Sequence, residues 1–544
     1  MRWTVQQVAR ALGVAAPPGL DPLARLAGVS IDSRTVGAGE LFIAIHGPRH
    51  DGHAFVAAAF GHGALAAVVA RSRLVDYPEA IRTKLFAVDD ALAALQRLAW
   101  TVRDDWRAAD PGRCLAAVTG STGKTTTKEI LAALLAARFR VLKNEGNLNN
   151  EYGVPLTLLR LEDDHDAAVL ELGMSHRGEI ERLARITEPE VGVVTLVAPV
   201  HLEFFASLDE IALAKRELIE NLAGPAPVAV LNADDPRVSR FASAFRGKVL
   251  TFGLGKDADF RAEKIEDRGA EGIAFDFVWP SVGSVASGPE DSGWRVAGEK
   301  DGGTDAEEKN RLEAGGTEAR AGKSACATRL ELPLAGRHNV MNALAALAAA
   351  SVWGVGAEEA KRVFPTLAPA AMRGEVLKFQ AGFTVINDCY NSNPVALASM
   401  IGLLAGTPGY RRRILAAGEM LELGPESGRL HREAGHLAAS IGLDWIFGVQ
   451  GLAEEFVLGA EEAGQSPTRT RFFNTADEAA TYLCALIEPG DLLLVKGSRG
   501  VRMERIVEAL TATHALAPVG PPRRVEILRF AQDDNAKDDK ERRD

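Results

Sequence analysis

Cys114-Leu115-Ala116-Ala117-Val118 runs into Thr119-Gly120-Ser121-Thr122-Gly123-Lys124-Thr125-Thr126-Thr127, and Ile130, Leu131, Leu134 and Leu135 follow at helical spacing. An apolar run, a glycine turn and an amphipathic helix in this order predict a buried parallel strand feeding a helix N-terminus. The glycines let backbone N–H groups face an anion, and the helix end adds positive potential. Lys124 can neutralise the terminal oxygens of a nucleoside triphosphate while the Thr125 hydroxyl ligates Mg²⁺. Gly120, Ser121, Thr122, Gly123, Lys124, Thr125 and Thr126 are therefore the candidate ATP-binding loop. Val118 stands at the first glycine position of the GxxxxGKT pattern, so this is the shorter form TGxxGKTT.

Outward from the loop the same alternation continues. Apolar runs at 167–172, 191–197 and 228–231, separated by amphipathic helices, predict a parallel sheet covered on both faces. At 544 residues the chain has room for about three domains of roughly 150 residues each. We expect an α/β protein with three of them. Residues 1–110, with Leu41-Phe42-Ile43-Ala44-Ile45, Ala66-Ala67-Val68-Val69-Ala70 and a helix from Ala91 to Trp106, form a small α/β domain. Residues 111–368 form the central phosphate-loop domain with its parallel sheet. Residues 369–519 alternate strands such as Ile414-Leu415-Ala416-Ala417 and Leu492-Leu493-Leu494-Val495 with helices, which predicts a second, Rossmann-like sheet. The stretch 281–326, rich in Gly, Ser and charged residues between two strand-like runs, reads as an overgrown mobile hairpin loop. Residues 520–544 read as a charged, disordered tail.

Hydrophobic residues at 47% are ordinary for a soluble globular chain. A net charge of −11 argues against nucleic-acid binding, which needs concentrated Lys and Arg. No run approaches the roughly 18 apolar residues of a membrane span, and the start lacks a signal-peptide core. The expectation is a cytoplasmic enzyme with no membrane partner. Cys114, Cys326, Cys389 and Cys484 lie too far apart in sequence to suggest zinc or a disulfide framework. His46, His50 and His53 have helix-like spacing, but Gly47, Pro48 and Gly52 point to a polar loop.

Three further residues fit a metal site near the loop. Glu171 ends an apolar strand at its carboxyl end, where open α/β sheets hold their ligands. His201 follows the next strand through a short turn and can complete a Mg²⁺ shell or orient its water, although hard cations prefer oxygen and a satisfied polar histidine fits equally well. Lys215 falls on the apolar stripe of the helix around Ile211 and Leu218. Burial lowers a lysine pKa, and an unprotonated amine can take up CO₂ as a carbamate, an oxygen-rich anion suited to Mg²⁺. A lysine snorkelling from the stripe's margin is the competing reading.

Taken together with Val29-Ser30-Ile31-Asp32-Ser33-Arg34, Glu145-Gly146-Asn147-Leu148-Asn149-Asn150, Gly336-Arg337-His338-Asn339, Asp388-Cys389-Tyr390-Asn391-Ser392-Asn393-Pro394, Gly418-Glu419-Met420-Leu421-Glu422-Leu423-Gly424 and Lys496-Gly497-Ser498-Arg499, these stretches resemble the Mur ligases of peptidoglycan synthesis. The resemblance runs from about residue 29 to about residue 510. It implies that ATP phosphorylates a carboxylate and that an amine then attacks the acyl phosphate, giving an amide, ADP and phosphate. By position it implies Lys124, Lys215 and His201 as catalytic, and Thr125, Glu171, His201 and a carbamylated Lys215 around two Mg²⁺ ions. Asn339, Arg373 and Asp388 would join the loop in binding ATP. Ser33, Arg34, Asn149 and Asn150 would meet a UDP-linked substrate, and Tyr390, Asn391, Asn393, Lys496 and Ser498 a dipeptide on the third domain. The Tyr390 and Gly418 motifs look most like the branch that adds D-alanyl-D-alanine to UDP-N-acetylmuramoyl-tripeptide, and a monomer is expected. The third-residue-adding branch usually carries an Asp-Asn-Pro-Arg motif absent here, Asp32-Ser33-Arg34 argues against a folylpolyglutamate synthetase, and a phosphate-loop switch ATPase would leave the third domain unemployed. Leu196 and Ala198 stand where the family commonly has Asn and Gly, Ser392 replaces a more usual Ala, and the 281–326 stretch has no counterpart.

Overall fold

The computed structural model describes residues 3–47, 50–200, 202–280 and 325–518. His201, residues 281–324 of the expected loop and the tail from 520 lie outside that set, whereas Ala325 and Cys326 begin a strand.

Among the described residues, three sheets organise the chain. The first is β1 (Val29–Ser30), β2 (Leu41–Ile43), β3 (Ala66–Ala70) and β4 (Leu85–Val88), in that order and all parallel. β2, β3 and β4 are largely buried because helices cover them, above all the helix Ala91–Ala109, while β1 at the edge is half-buried. That helix starts at Asp90, whose carboxylate accepts from the N–H groups of Leu92 and Ala93, and it buries Leu95, Leu98, Val102 and Trp106. It also fastens the first sheet to the second: Trp106 Nε1 donates to His165 O at 2.8 Å, and Arg103 and Arg107 each lie 2.5 Å from Glu188 and Glu190 respectively. His53 is buried in a short 3-10 turn instead of riding on a polar loop, because its Nε2 accepts from Ala70 N and its Nδ1 lies 2.6 Å from Asp51.

The central sheet has nine strands: β5 (Cys114–Thr119), β6 (Val141–Lys143), β7 (Ala167–Glu171), β8 (Val191–Val194), β9 (Val228–Asn232), β10 (Lys248–Gly253), β11 (Phe260–Asp267), β12 (Ile273–Pro280) and β13 (Ala325–Leu332). They run in the order β13-β12-β11-β10-β9-β8-β5-β7-β6. All pairs from β6 to β11 are parallel, and β11, β12 and β13 finish the sheet as an antiparallel edge. The helices Lys124–Leu135 and His338–Ala350 pack together on one face, the second being almost wholly apolar and accordingly buried all round. The strand expected over 191–197 stops at Val194; Thr195 N still donates to Thr119 O at 3.0 Å, and its hydroxyl turns to Thr122 O at 2.5 Å. β5 sits between β7 and β8, where connections depart in opposite directions and leave a crevice at the carboxyl ends.

The third sheet comprises β14 (Glu375–Lys378), β15 (Thr384–Asp388), β16 (Arg412–Gly418), β17 (Trp445–Val449), β18 (Thr470–Phe473) and β19 (Asp491–Lys496), ordered β14-β15-β19-β16-β17-β18. Only the edge strand β14 is antiparallel. Among the described residues no helix is long and apolar enough to cross a membrane.

Candidate active site

The phosphate loop is shaped by what its glycines leave out. Gly120 has φ +148 and Gly123 φ +81, and a Cβ at either would come within 1.8 Å of Thr195 Oγ1 or 2.3 Å of Asn342 Oδ1. Only a hydrogen fits there. Ser121 ties the loop to the chain after β8, its hydroxyl donating to Ala198 O and accepting from Ala198 N at 2.9 Å. No side chain caps the helix Lys124–Leu135, so its N-terminal backbone donors are left to an anion. Lys124 Nζ donates to Gly120 O at 3.0 Å, within the loop it would neutralise. Burial pulls its amine below the ordinary lysine range; Glu171 opposes that shift and Arg373 adds to it.

Thr125 Oγ1 donates to Glu171 Oε2 at 2.6 Å, and Asn149 Nδ2 donates to Glu171 Oε1 at 2.8 Å. A buried hydroxyl and carboxylate facing each other beside a phosphate loop are the oxygen donors that Mg²⁺ prefers, so the donor set fits the ion. Asn149, expected against a UDP-linked substrate, thus holds Glu171, while Asn150 caps the backbone of Tyr152 and Gly153 at the cleft rim. Lys215 is buried in the helix Leu208–Glu220, outside the cleft lining, and forms no ion pair among the described residues. Burial, reinforced by the charge of Lys124, holds its amine well below the usual lysine range.

The cleft itself, about 540 Å³, is walled by both the central and the third sheets. From the third come Arg373, stacked 3.9 Å from the centre of the Tyr390 ring, and Asp388, paired with Lys496 Nζ at 2.6 Å. Lys496 also donates to Asn391 O at 2.8 Å, and Asn393 caps the helix Pro394–Gly406 by accepting from Ala396 N. Asn339 lines the cleft from the central side, donating to Ala335 O and accepting from Asn342 Nδ2 at 2.9 Å. Among the expected site residues, Gly120 and Lys215 lie just outside the cleft lining, and Ser33, Arg34 and Ser498 lie elsewhere. Ser498 is buried outside the cleft lining, where its hydroxyl accepts from Leu421 N. Ser33 and Arg34 are also absent from that lining; Arg34 is 85% exposed and folds back on Asp32, whose carboxyl it holds at about 2.

Sequence reasoning missed Thr195 and Asn342, which close the loop from behind, and Asn144, which is hydrogen-bonded to the backbone of Glu171. Thr195 and Asn144 are lone polar residues far in sequence from their partners with no local pattern to mark them, while Asn342 lies in the family-like stretch from Gly336 but 215 residues from Thr127, from whose hydroxyl it accepts.

Profiles of known families match along the chain: "Mur ligase family, catalytic domain" at residues 25–102, "Mur ligase middle domain" at 118–286, and "Mur ligase, glutamate ligase domain" at 372–499. The UDP-N-acetylmuramoyl-tripeptide--D-alanyl-D-alanine ligase of Bacillus subtilis is 32% identical over 483 residues, covering 89% of this chain and 93% of that protein. Among solved structures, MurF from Acinetobacter baumannii superposes with a TM-score of 0.77 at 28% identity, covering 94% of this chain and 99% of that one. MurF ligase from Thermotoga maritima in complex with ADP gives a TM-score of 0.69 at 26% identity, covering 89% of this chain and 97% of that one.

Proposed function

This chain belongs to the Mur ligase family, and from that premise we propose that it joins D-alanyl-D-alanine to UDP-N-acetylmuramoyl-tripeptide, converting ATP to ADP and phosphate. One observation carries the reading furthest: Lys124, Thr125 and Glu171 from the central unit face Arg373, Asp388 and Lys496 from the third across a single cleft. A nucleotide switch needs only the first group.

ATP lies with its phosphates on Gly120–Thr126 and its base toward Asn339. Lys124 and Arg373 approach the transferring phosphoryl group from two sides and stabilise its charge. Thr125, Glu171, His201 and a carbamate on Lys215 would hold Mg²⁺, two ions being expected, which would supply positive charge against the phosphate oxygens. The carbamate forms when the neutral Lys215 amine attacks CO₂, making an N–C bond and releasing a proton. The substrate carboxylate takes the phosphoryl group because its own oxygen is a poor leaving group until it departs as phosphate. The amine of D-alanyl-D-alanine then attacks the acyl carbon, forming the amide. Ser33, Arg34, Asn149 and Asn150 bear on the UDP end, while Tyr390, Asn391, Asn393 and Lys496 bear on the dipeptide, with Ser498 acting through the loop it supports. The units 1–110, 111–368 and 369–519 carry, in order, the UDP handle, ATP and the dipeptide, in a monomeric cytoplasmic enzyme.

ADP release measured with each UDP-muramoyl-peptide against D-alanyl-D-alanine and single amino acids tests this. Turnover should require the tripeptide and the dipeptide together. Equal release without an acyl acceptor, or a preference for a single amino acid, would reject it.

A further inference from the structure

Asn144 follows β6 and is 2% exposed, yet every polar atom of its side chain is used on one task. Its Oδ1 accepts from Glu171 N at 2.9 Å, and its Nδ2 donates to Glu171 O at 2.9 Å and to Leu148 O at 2.8 Å. One amide therefore grips both backbone groups of Glu171 and joins them to the Asn147–Asn150 turn, from which Asn149 reaches the Glu171 carboxylate. Asn144 is gripped in turn: Lys128, 1% exposed on the helix that begins at Lys124, donates its amine to Asn144 O at 2.5 Å. The helix that bears Thr125 and the strand that bears Glu171 are thus connected through Lys128 and Asn144 as well as by the direct Thr125–Glu171 bond.

We propose that Asn144 is a positioning residue for the metal carboxylate, fixing Glu171 at the distance from Thr125 that a divalent cation requires. It touches neither nucleotide nor cation. It replaces water at the end of β7 with an amide of matching donors and acceptors, so that Glu171 is oriented before the ion arrives. Groups that orient a metal ligand typically alter metal affinity or activity 10- to 100-fold when removed, about the scale expected here. The inference rests on the reading of Thr125 and Glu171 as a Mg²⁺ site.

The test is calorimetric titration of the whole protein with ADP, with and without Mg²⁺, for the wild type, Asn144→Ala and Asn144→Asp. Asn144→Asp keeps the acceptor for Glu171 N and loses both donors. Each variant should bind Mg·ADP about tenfold more weakly or worse, with metal-free ADP affinity within about twofold of wild type. Amide exchange at Glu171 should quicken in Asn144→Ala and stay slow in Asn144→Asp. Equal weakening with and without metal, unchanged Mg·ADP affinity, or failure of both variants to fold would overturn the proposal. A wild type indifferent to Mg²⁺ would instead remove the metal reading, and this inference with it.

Discussion

Thr125 differs from valine by one oxygen, and that oxygen bridges the phosphate loop to Glu171. Thr125→Val preserves volume and leaves a buried carboxylate oxygen short of a partner, a loss of about 1–3 kcal/mol. We expect ligation to fall about a hundredfold while Thr125→Ser retains most of it, as read by ADP release and urea melts. Lys215 is the second decisive side chain. Lys215→Ala should abolish ligation and regain part of it with added short carboxylic acids, which supply the missing anion; wild-type turnover without rescue would reject the carbamate. The pH dependence has a definite sign. An amine held below its ordinary range is neutral at lower pH than a free lysine; if it carries the proposed carbamate, acid protonates it and expels CO₂, so activity should fall on the acid side and added bicarbonate should move that limb to lower pH.

Elements carry these residues, and one is pinned by a histidine. His431, 1% exposed in the helix Ser427–Ser440, has Nδ1 2.7 Å from Ser427 O and accepts with Nε2 from Met420 N at 2.8 Å. That pairing demands the neutral ring with its proton on Nδ1. Burial accordingly lowers its pKa from the ordinary 6.5. Because the unfolded chain then binds the extra proton first, stability should be level above pH 6.5 and decline below it, by at most about 1.4 kcal/mol per pH unit from this group. Thermal melts from pH 5 to 8 on the wild type and His431→Gln check it; an equal acid decline in both would exclude His431 as the cause. At this scale the sequence was readable where chemistry follows an element boundary. Lys124, Thr125 and Glu171 sit at the end of a strand or the start of a helix, so hydrophobic patterning located them. Asn149, which the resemblance implies at the substrate, also holds Glu171, 22 residues on, a bond of which its short-range motif says nothing. The strand end at Val194 and the Thr195–Thr122 bond just beyond it are not registered by apolar periodicity.

Across the molecule the three units are not joined alike. The fully buried Arg103 and the partly buried Arg107 pair with Glu188 and Glu190 to bind the first unit to the central one. Between the central and third units the described polar links are a 3.4 Å bond from Glu203 N to Glu422 O and a 3.6 Å pair of exposed side chains, Lys378 and Glu271, beside the packing of Ala335 and Leu202 against the third core. We expect urea to unfold the third unit separately and the first two together. Trp445 is the one tryptophan between residues 369 and 519, so a variant keeping only that indole reports the third unit while circular dichroism reports the whole. Coincident transitions by both probes would contradict this, since a single cooperative unit gives one midpoint. Mg·ADP should bring the two midpoints closer, because its cleft is walled from both sides.

The antiparallel edge of the central sheet has a practical use. β12 runs against β5, so Pro280 and its ladder partner Ala325 leave the sheet at the end opposite the phosphate loop. A fluorophore, affinity handle or surface tether spliced between those two positions would enter and exit through one hydrogen-bonded gate, with most of the sheet's width and its whole length between the cargo and the chemistry. Immobilised enzyme made this way should turn over like the free protein.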